Sequence, residues 1–273
     1  RALTVEEMRV ELSALLAEIR ARGIPTTELA LDGNEDVTRV LEGLVANGVL
    51  AVFDGPERVF GIAPDAHLVA SYYRNTVIHY FVLSSIVELA LLRAAQAKGD
   101  AKAAFFDEAM RLRDLLKFEF FFAEKEAFRE EIVREVAAID AGWETAMSRS
   151  PDAVRGILRK KTSLHAHRTL RAFLESQLIV ADALVRQPGK VEEGAFLEYC
   201  LALGRQRRLQ QRIRSSEAVS KVLFQSALKL AGNQKLLEAD AQRRQAFADE
   251  IRECVRSIDA VEALASARRA GLV

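Results

Sequence analysis

The stretch SYYRNTVIHYFVLSSIVELALL, residues 71–92, constrains this chain more than any other. On a helix its apolar side chains fall on every side, so the pattern predicts a helix that the rest of the chain must enclose. Tyr72, Asn75 and His79 share one stripe with Val82, Ile86 and Leu89, because residues three and four apart meet on a helix. Polar groups on that stripe are predicted to be buried, and buried polar groups need hydrogen-bond partners. The longest uncharged run, 75–87, stops at Glu88. It is shorter than the ~20 apolar residues that a spanning helix requires, so no membrane crossing is expected.

Upstream of this stretch the period of the sequence changes. Thr4 with Glu7 makes a capping-box pattern, and Val5, Met8, Leu12, Leu15 and Ile19 continue at helical spacing, which predicts a helix over 4–22. A turn at Gly23-Ile24-Pro25 leads to a second helix over 35–47, stopped by Gly48. Residues 49–53 and 58–62 then alternate like strands around the turn Asp54-Gly55-Pro56-Glu57, which predicts a β-hairpin. Two helices and a hairpin suggest a small winged-helix-like module over 1–62.

Pro64 is read as opening the buried helix, and no strand signal follows it. Helices are predicted over 65–97, 102–122, 124–143, 152–160, 164–186, 191–212, 217–231 and 234–269, punctuated by Gly99, Pro151, Pro188 and Gly232. The expected fold is mainly α: a multi-helix bundle over 63–273 preceded by the winged-helix-like module.

Acidic and basic side chains balance at 39 each, so no overall field draws the chain to nucleic acid or to an anionic membrane. The two cysteines, Cys200 and Cys254, lie far apart and outside any C-x-x-C pattern. That argues against a disulfide framework or a zinc site and suggests a reducing, cytosolic setting. The chain begins at Arg1 without a Met and enters a helix almost at once, as a piece of a longer polypeptide would; no signal peptide is visible.

Two blocks carry a family resemblance. Tyr72, Tyr73, Arg74 and Asn75, followed by Ile78, His79 and Phe81, resemble the YYRN…H block in the C-terminal half of the glycerol-3-phosphate acyltransferases and the related dihydroxyacetone-phosphate acyltransferases. Ser216-Glu217-Ala218-Val219-Ser220-Lys221, leading to Phe224 and Ala227-Leu228, is similar to a later block of that family. The resemblance implies acyl transfer from acyl-CoA or acyl-carrier protein to the sn-1 hydroxyl of glycerol 3-phosphate, with the acyl carrier as a substrate and no cofactor. It also implies a peripheral place on the cytoplasmic side of the membrane.

In this family a His acts as general base and an Asp five positions later orients it. Five positions after His67, His79, His165 and His167 stand Tyr72, Ser84, Leu170 and Ala172, so no His here has that partner. The Phe-Pro-Glu-Gly substrate motif is absent too. The resemblance therefore places the catalytic half upstream of Arg1 or on another chain, and makes this chain its inactive support. No G-x-S-x-G elbow, phosphate loop or H-E-x-x-H occurs, and His165 and His167 are wrongly spaced to share a metal on one helical face.

The candidate substrate or interface residues are thus Tyr72, Tyr73, Arg74, Asn75, His79, Arg214, Glu217, Ser220 and Lys221, with no catalytic and no metal residue. The first group either reaches the acyl-CoA or phosphate site at the boundary with the catalytic half or forms an ordinary satisfied polar network. Glu217 and Lys221 stand in the favourable i, i+4 order, either as a surface ladder or as an interface. Arg205, Arg207, Arg208, Arg212 and Arg214 form the densest basic patch, with Arg205, Arg208 and Arg212 on one predicted helical face. That face is read as solvated first, as touching lipid phosphates second and as docking the catalytic half third. Phe118, Phe120, Phe121 and Phe122 are read as helix core, with an interfacial anchor as the other reading.

A reading of a different class is a transcription regulator, with a winged helix over 1–62 and an all-α ligand or dimerisation domain. Its would-be recognition segment, 34–48, carries Glu35, Asp36 and Glu42 against Arg39 alone. Phosphate binding requires the opposite sign, so no nucleic-acid partner is expected. A helical scaffold without chemistry of its own is the third reading.

Overall fold

A computed structural model describes residues 2–24, 34–63, 65–187, 189 and 191–271. Among these residues it holds thirteen helices and one two-stranded hairpin, and it divides into two compact units, Arg1–Thr76 and Val77–Val273. The mainly α architecture is the one the periodicity predicts. Pro25, Pro64 and Pro188, read above as breaks, lie outside the described residues.

The first unit runs α1 (Val5–Ala21), α2 (Asn34–Ala46), β1 (Leu50–Asp54), β2 (Arg58–Ile62) and α3 (His67–Asn75). The capping box forms: the Glu7 N–H donates to Thr4 Oγ1 at 3.2 Å and the Thr4 N–H to Glu7 Oε2 at 2.9 Å. The strands pair antiparallel from Leu50–Ile62 to Asp54–Arg58, and Leu3 bridges Phe60 as a third short stretch. Phe60 is fully buried with Val37 and Leu41, giving this unit a small core of its own.

The second unit runs α4 (His79–Ala94), α5 (Ala101–Leu116), α6 (Lys125–Ile139), α7 (Trp143–Arg149), α8 (Pro151–Lys160), α9 (Ala166–Thr169), α10 (Arg171–Arg186), α11 (Glu193–Leu209), α12 (Lys221–Asn233) and α13 (Ala241–Arg269). Two of these helices are enclosed by the others. Packed against α5, α6, α8 and α9, α4 buries Val82, Ile86, Val87, Leu89, Ala90 and Leu91. Every residue of α10 from Arg171 to Leu184 is buried, against α9, α11, α12 and α13. The 29-residue α13 touches both enclosed helices and ties the bundle together.

The continuous helix expected over 71–92 is two helices. It stops at Asn75, where the Thr76 hydroxyl donates to the Tyr73 carbonyl at 2.7 Å, and restarts at His79. Thr76 and Val77 are β-branched poor helix formers, and a Thr hydroxyl that bonds local backbone competes with helix propagation. Burial therefore holds for only half of the stripe. Val82, Ile86 and Leu89 are core, whereas Tyr72, Asn75 and His79 are exposed.

Other predicted helices also divide. The residues predicted as one helix over 102–122 end their helix at Leu116. Phe120 and Phe122 then pack on Phe173 and Phe128, with ring centroids at 4.8 and 5.4 Å, while Phe118 and Phe121 are exposed. The break at Pro151 is real, with Ser150 Oγ capping the Ala153 N–H at 3.2 Å and Pro151 opening α8. Residues 216–220 are a turn rather than the start of a helix.

Candidate functional site

The predicted site residues fall in two places. Tyr72, Tyr73, Arg74 and Asn75 lie on α3 of the first unit. There the two tyrosine rings meet edge-on at 6.0 Å and Arg74 donates to Asn75 Oδ1 at 2.8 Å. His79 opens α4 in the second unit, exposed, with its ring tilted 42° to that of Tyr80 at a centroid distance of 3.9 Å. Arg214, Glu217 and Ser220 lie on the segment joining α11 to α12, and Lys221 opens α12. Lys221 pairs with Glu198 on α11. Since residues 216–220 are a turn, Glu217 and Lys221 do not lie on one helix.

Arg214 belongs to a built network. Its guanidinium reaches Glu262 at 2.6 Å and Asp259 at 3.5 Å on α13, and Arg171 meets the same two carboxylates at 2.9 and 2.8 Å. Beneath them Glu175, 1% exposed, accepts the backbone N–H groups of Arg214 and Ser215 at 3.1 and 2.8 Å, and the Arg171 guanidinium at 3.3 Å. Burial is the largest influence and leaves the Glu175 carboxyl above its ordinary value, although these donors pull the other way. The segment that leads from α11 into the second family-like block is therefore pinned to an enclosed helix of the second unit.

Two further buried acids do similar work, and sequence reading did not single them out as sites. Glu88 on α4 is fully buried. It accepts the N–H groups of His165 and Ala166 at 2.9 and 2.8 Å, with Lys161 Nζ at 3.0 Å. Asp182 on α10 receives Arg207 from α11 on one oxygen and Arg252 from α13, at 2.8 Å, on the other. The available signal was a lone acid inside an apolar helical run, as in LIVADALV, because an ionised carboxylate in such a place needs a donor or a cation.

Asp182 lies in the wall of a cleft of about 670 Å³ between α10, the end of α11 and α13. Arg186, Arg207, Arg212, Arg252 and Arg256 line it, against Asp182 as the one acid in the lining, with Leu178, Val185, Ile213 and Val255 as its apolar part. The patch expected on one helical face is thereby redistributed. Because α11 ends at Leu209, Arg212 lies beyond the helix, Arg207 is buried, and Arg205 and Arg208 stay exposed on α11.

The helix ends in a Schellman motif. Gln211 takes the left-handed conformation (φ 57°), its N–H donates to the Arg208 carbonyl at 2.9 Å, and the Arg212 N–H donates to the Arg207 carbonyl at 2.9 Å. This closure sets Arg212 beside Arg207 at the cleft.

The remaining reactive side chains are quiet. Burial pushes the thiols of Cys200 and Cys254 up to about 12, so neither supplies a thiolate at neutral pH. Burial, with the nearby charges of Arg168, Arg269, Arg171 and His165, lowers His167 to about 3 and keeps it neutral. Among the described residues no group of His, Cys, Asp and Glu is arranged to hold a metal, and no single helix is long and apolar enough to cross a membrane. The pair α3 and α4 reaches that length and apolarity together, across its break, but the apolar residues of α4 are core.

Comparison with known proteins agrees with the two blocks. The chain matches the family model of the glycerol-3-phosphate acyltransferase C-terminal region over residues 1–240. It is 39% identical over 276 residues to proteins of Mycobacterium bovis and Mycobacterium tuberculosis that carry the name acyltransferase plsB1, a match covering 97% of this chain and 44% of each relative. The chain thus spans less than half the length of these curated relatives. With the family model covering most of its length and both blocks in place, the chain belongs to the glycerol-3-phosphate acyltransferase C-terminal region family.

Proposed function

We propose that this chain is the non-catalytic helical part of an enzyme that moves a fatty acyl group from acyl-CoA or acyl-carrier protein to the sn-1 hydroxyl of glycerol 3-phosphate, the opening step of phospholipid synthesis. Family membership supports the reaction class, and the absence of any His with an Asp five positions on supports the division of labour. The catalytic half is then supplied by the part of such proteins that this chain does not span. The winged-helix regulator gains nothing from the family match.

The observation that carries the supporting role is the exposure of the first block. Leu68, Tyr72 and Tyr73 are 69%, 70% and 55% exposed on α3, and Asn75 is exposed with them. Exposed tyrosines beside an apolar side chain are the composition of a protein interface rather than of a solvated helix. This face docks the catalytic half, and the assembled enzyme works at the cytoplasmic face of the membrane, held peripherally, with exposed Phe118 and Phe121 as apolar contacts.

Alanine at both Tyr72 and Tyr73, in a protein joining this chain to its catalytic half, tests the docking. The expected result is a loss of glycerol-3-phosphate acylation of about tenfold or more with the melting of this chain unchanged, the scale of an interface anchor. Full activity of the double variant would remove the docking role from α3.

A further inference from the structure

Four helices among the described residues end in the same Schellman closure, and three of them use it alike. At the end of α1 its long bond joins the Ile24 N–H to the Ile19 carbonyl, at the end of α2 Val49 to Leu44, and at the end of α12 Leu236 to Ala231. These are apolar pairs, which is the contact that usually accompanies the motif. At the end of α11 the same two positions hold Arg212 and Arg207. The positions that elsewhere hold an apolar pair here hold two like charges, and both line a cleft that three more arginines line.

The carboxylate in the lining does not neutralise them. Asp182 is divided between Arg207 and Arg252, and Asp249, outside the lining, takes a second bond from Arg252. Arg186, Arg212 and Arg256 have no carboxylate partner among the described residues. Two guanidinium groups are therefore fixed in the wall by a buried acid, and three more stand free around them. Planar forks converging from three elements are the arrangement that phosphate oxygens fit, since each guanidinium can offer two parallel N–H donors. The volume exceeds that of a bare phosphate and lies within the ~300 to 1,000 Å³ of small-molecule sites. Leu178, Val185, Ile213 and Val255 give the remainder an apolar wall.

We propose that this cleft binds a phosphate or diphosphate group carried on a partly apolar body, with Arg212, Arg186 and Arg256 closing on the anion and the Arg207–Asp182–Arg252 set holding the wall in shape. The site lies in the second unit alone, and the proposal does not depend on the acyl-transfer reading. Two sources share this chemistry: a soluble phosphate ester and the phosphate headgroup of an anionic lipid.

The test is calorimetric titration of the full 273-residue chain with pyrophosphate at low salt, together with flotation on phosphatidylcholine vesicles with and without phosphatidate. Pyrophosphate is expected to bind, and Arg212→Gln and Arg256→Gln each to weaken it by about tenfold or more. Arg212→Lys, which keeps the charge but loses the fork, is expected to fall between. Arg205→Gln with Arg208→Gln, on the exposed face of α11, should leave binding unchanged. Melting curves identify any variant that has lost its fold, and the lysine variant then carries the comparison. Flotation that needs phosphatidate and is lost in the same variants assigns the lipid headgroup as the source; pyrophosphate binding without flotation assigns a soluble ester. No heat with pyrophosphate up to about 10 mM, or equal weakening by the Arg205 and Arg208 pair, would overturn the proposal.

Discussion

Glu175 accepts the backbone N–H of Ser215 at 2.8 Å, and this bond fixes where the segment after α11 runs over the enclosed helix. The acid is buried, and its other donors are the Arg214 N–H and the Arg171 guanidinium. Glu175→Gln keeps the size and one acceptor oxygen but turns the other oxygen into an amide NH2, which cannot accept from the N–H groups of Arg214 and Ser215. A loss of about 1–3 kcal/mol is expected, the cost of leaving a buried donor without an acceptor. Urea unfolding of the two proteins side by side measures it; equal midpoints would show that the pin is dispensable.

Gly204 lets α11 lie close against Ile179 and Val219. A Cβ there would stand 3.2 Å from Ile179 Cδ1 on α10 and 3.2 Å from both methyl carbons of Val219. Gly204→Ala gains helix propensity but must push both side chains aside, and overpacking of this kind costs about 1–3 kcal/mol. The expected outcome is a lower melting temperature that is partly recovered by adding Val219→Ala. Recovery by the second change would locate the clash; a melting temperature raised by Gly204→Ala alone would deny it.

Glu119 makes stability depend on pH in an unusual direction for a carboxylate. Burial raises it to about 7, with a hydrogen bond from Ser226 pulling the other way. Because the folded value lies above the unfolded one, the folded state holds the proton more tightly. Its contribution is complete below about pH 4.5 and is lost as pH rises through 7. Allowing for its partial exposure, the loss is on the order of 1–2 kcal/mol. Glu119→Gln, neutral throughout, is expected to be more stable than the parent at pH 8 and equal to it at pH 4. Parallel stability curves across that interval would contradict this assignment.

The sequence made the helices of the bundle legible, because apolar periodicity and capping signals such as Thr4 with Glu7 and Ser150 before Pro151 act locally. It misread the junction at 76–78, since an apolar pattern on every side does not distinguish one long helix from two successive helices separated by a short break. Tyr72 and His79 therefore read as buried neighbours and are exposed on different helices. The arginine cleft was visible only as a basic run. Which of those arginines face inward depends on a left-handed Gln211 and on Asp182, more than 20 residues earlier, and neither leaves a periodic signal. The two family-like blocks were legible as text, whereas the pinning by Glu175 of Arg214 and Ser215, just ahead of the second one, required the packed structure.

Radiolabelled acyl transfer from acyl-CoA to glycerol 3-phosphate tests the central claim most directly, with three samples: this chain alone, the portion of the longer relatives that it does not span alone, and the two co-expressed. The account predicts no transfer by this chain alone, little by the other portion, and restored transfer when both are present. Transfer by this chain alone would contradict it, and so would full activity of the other portion without it.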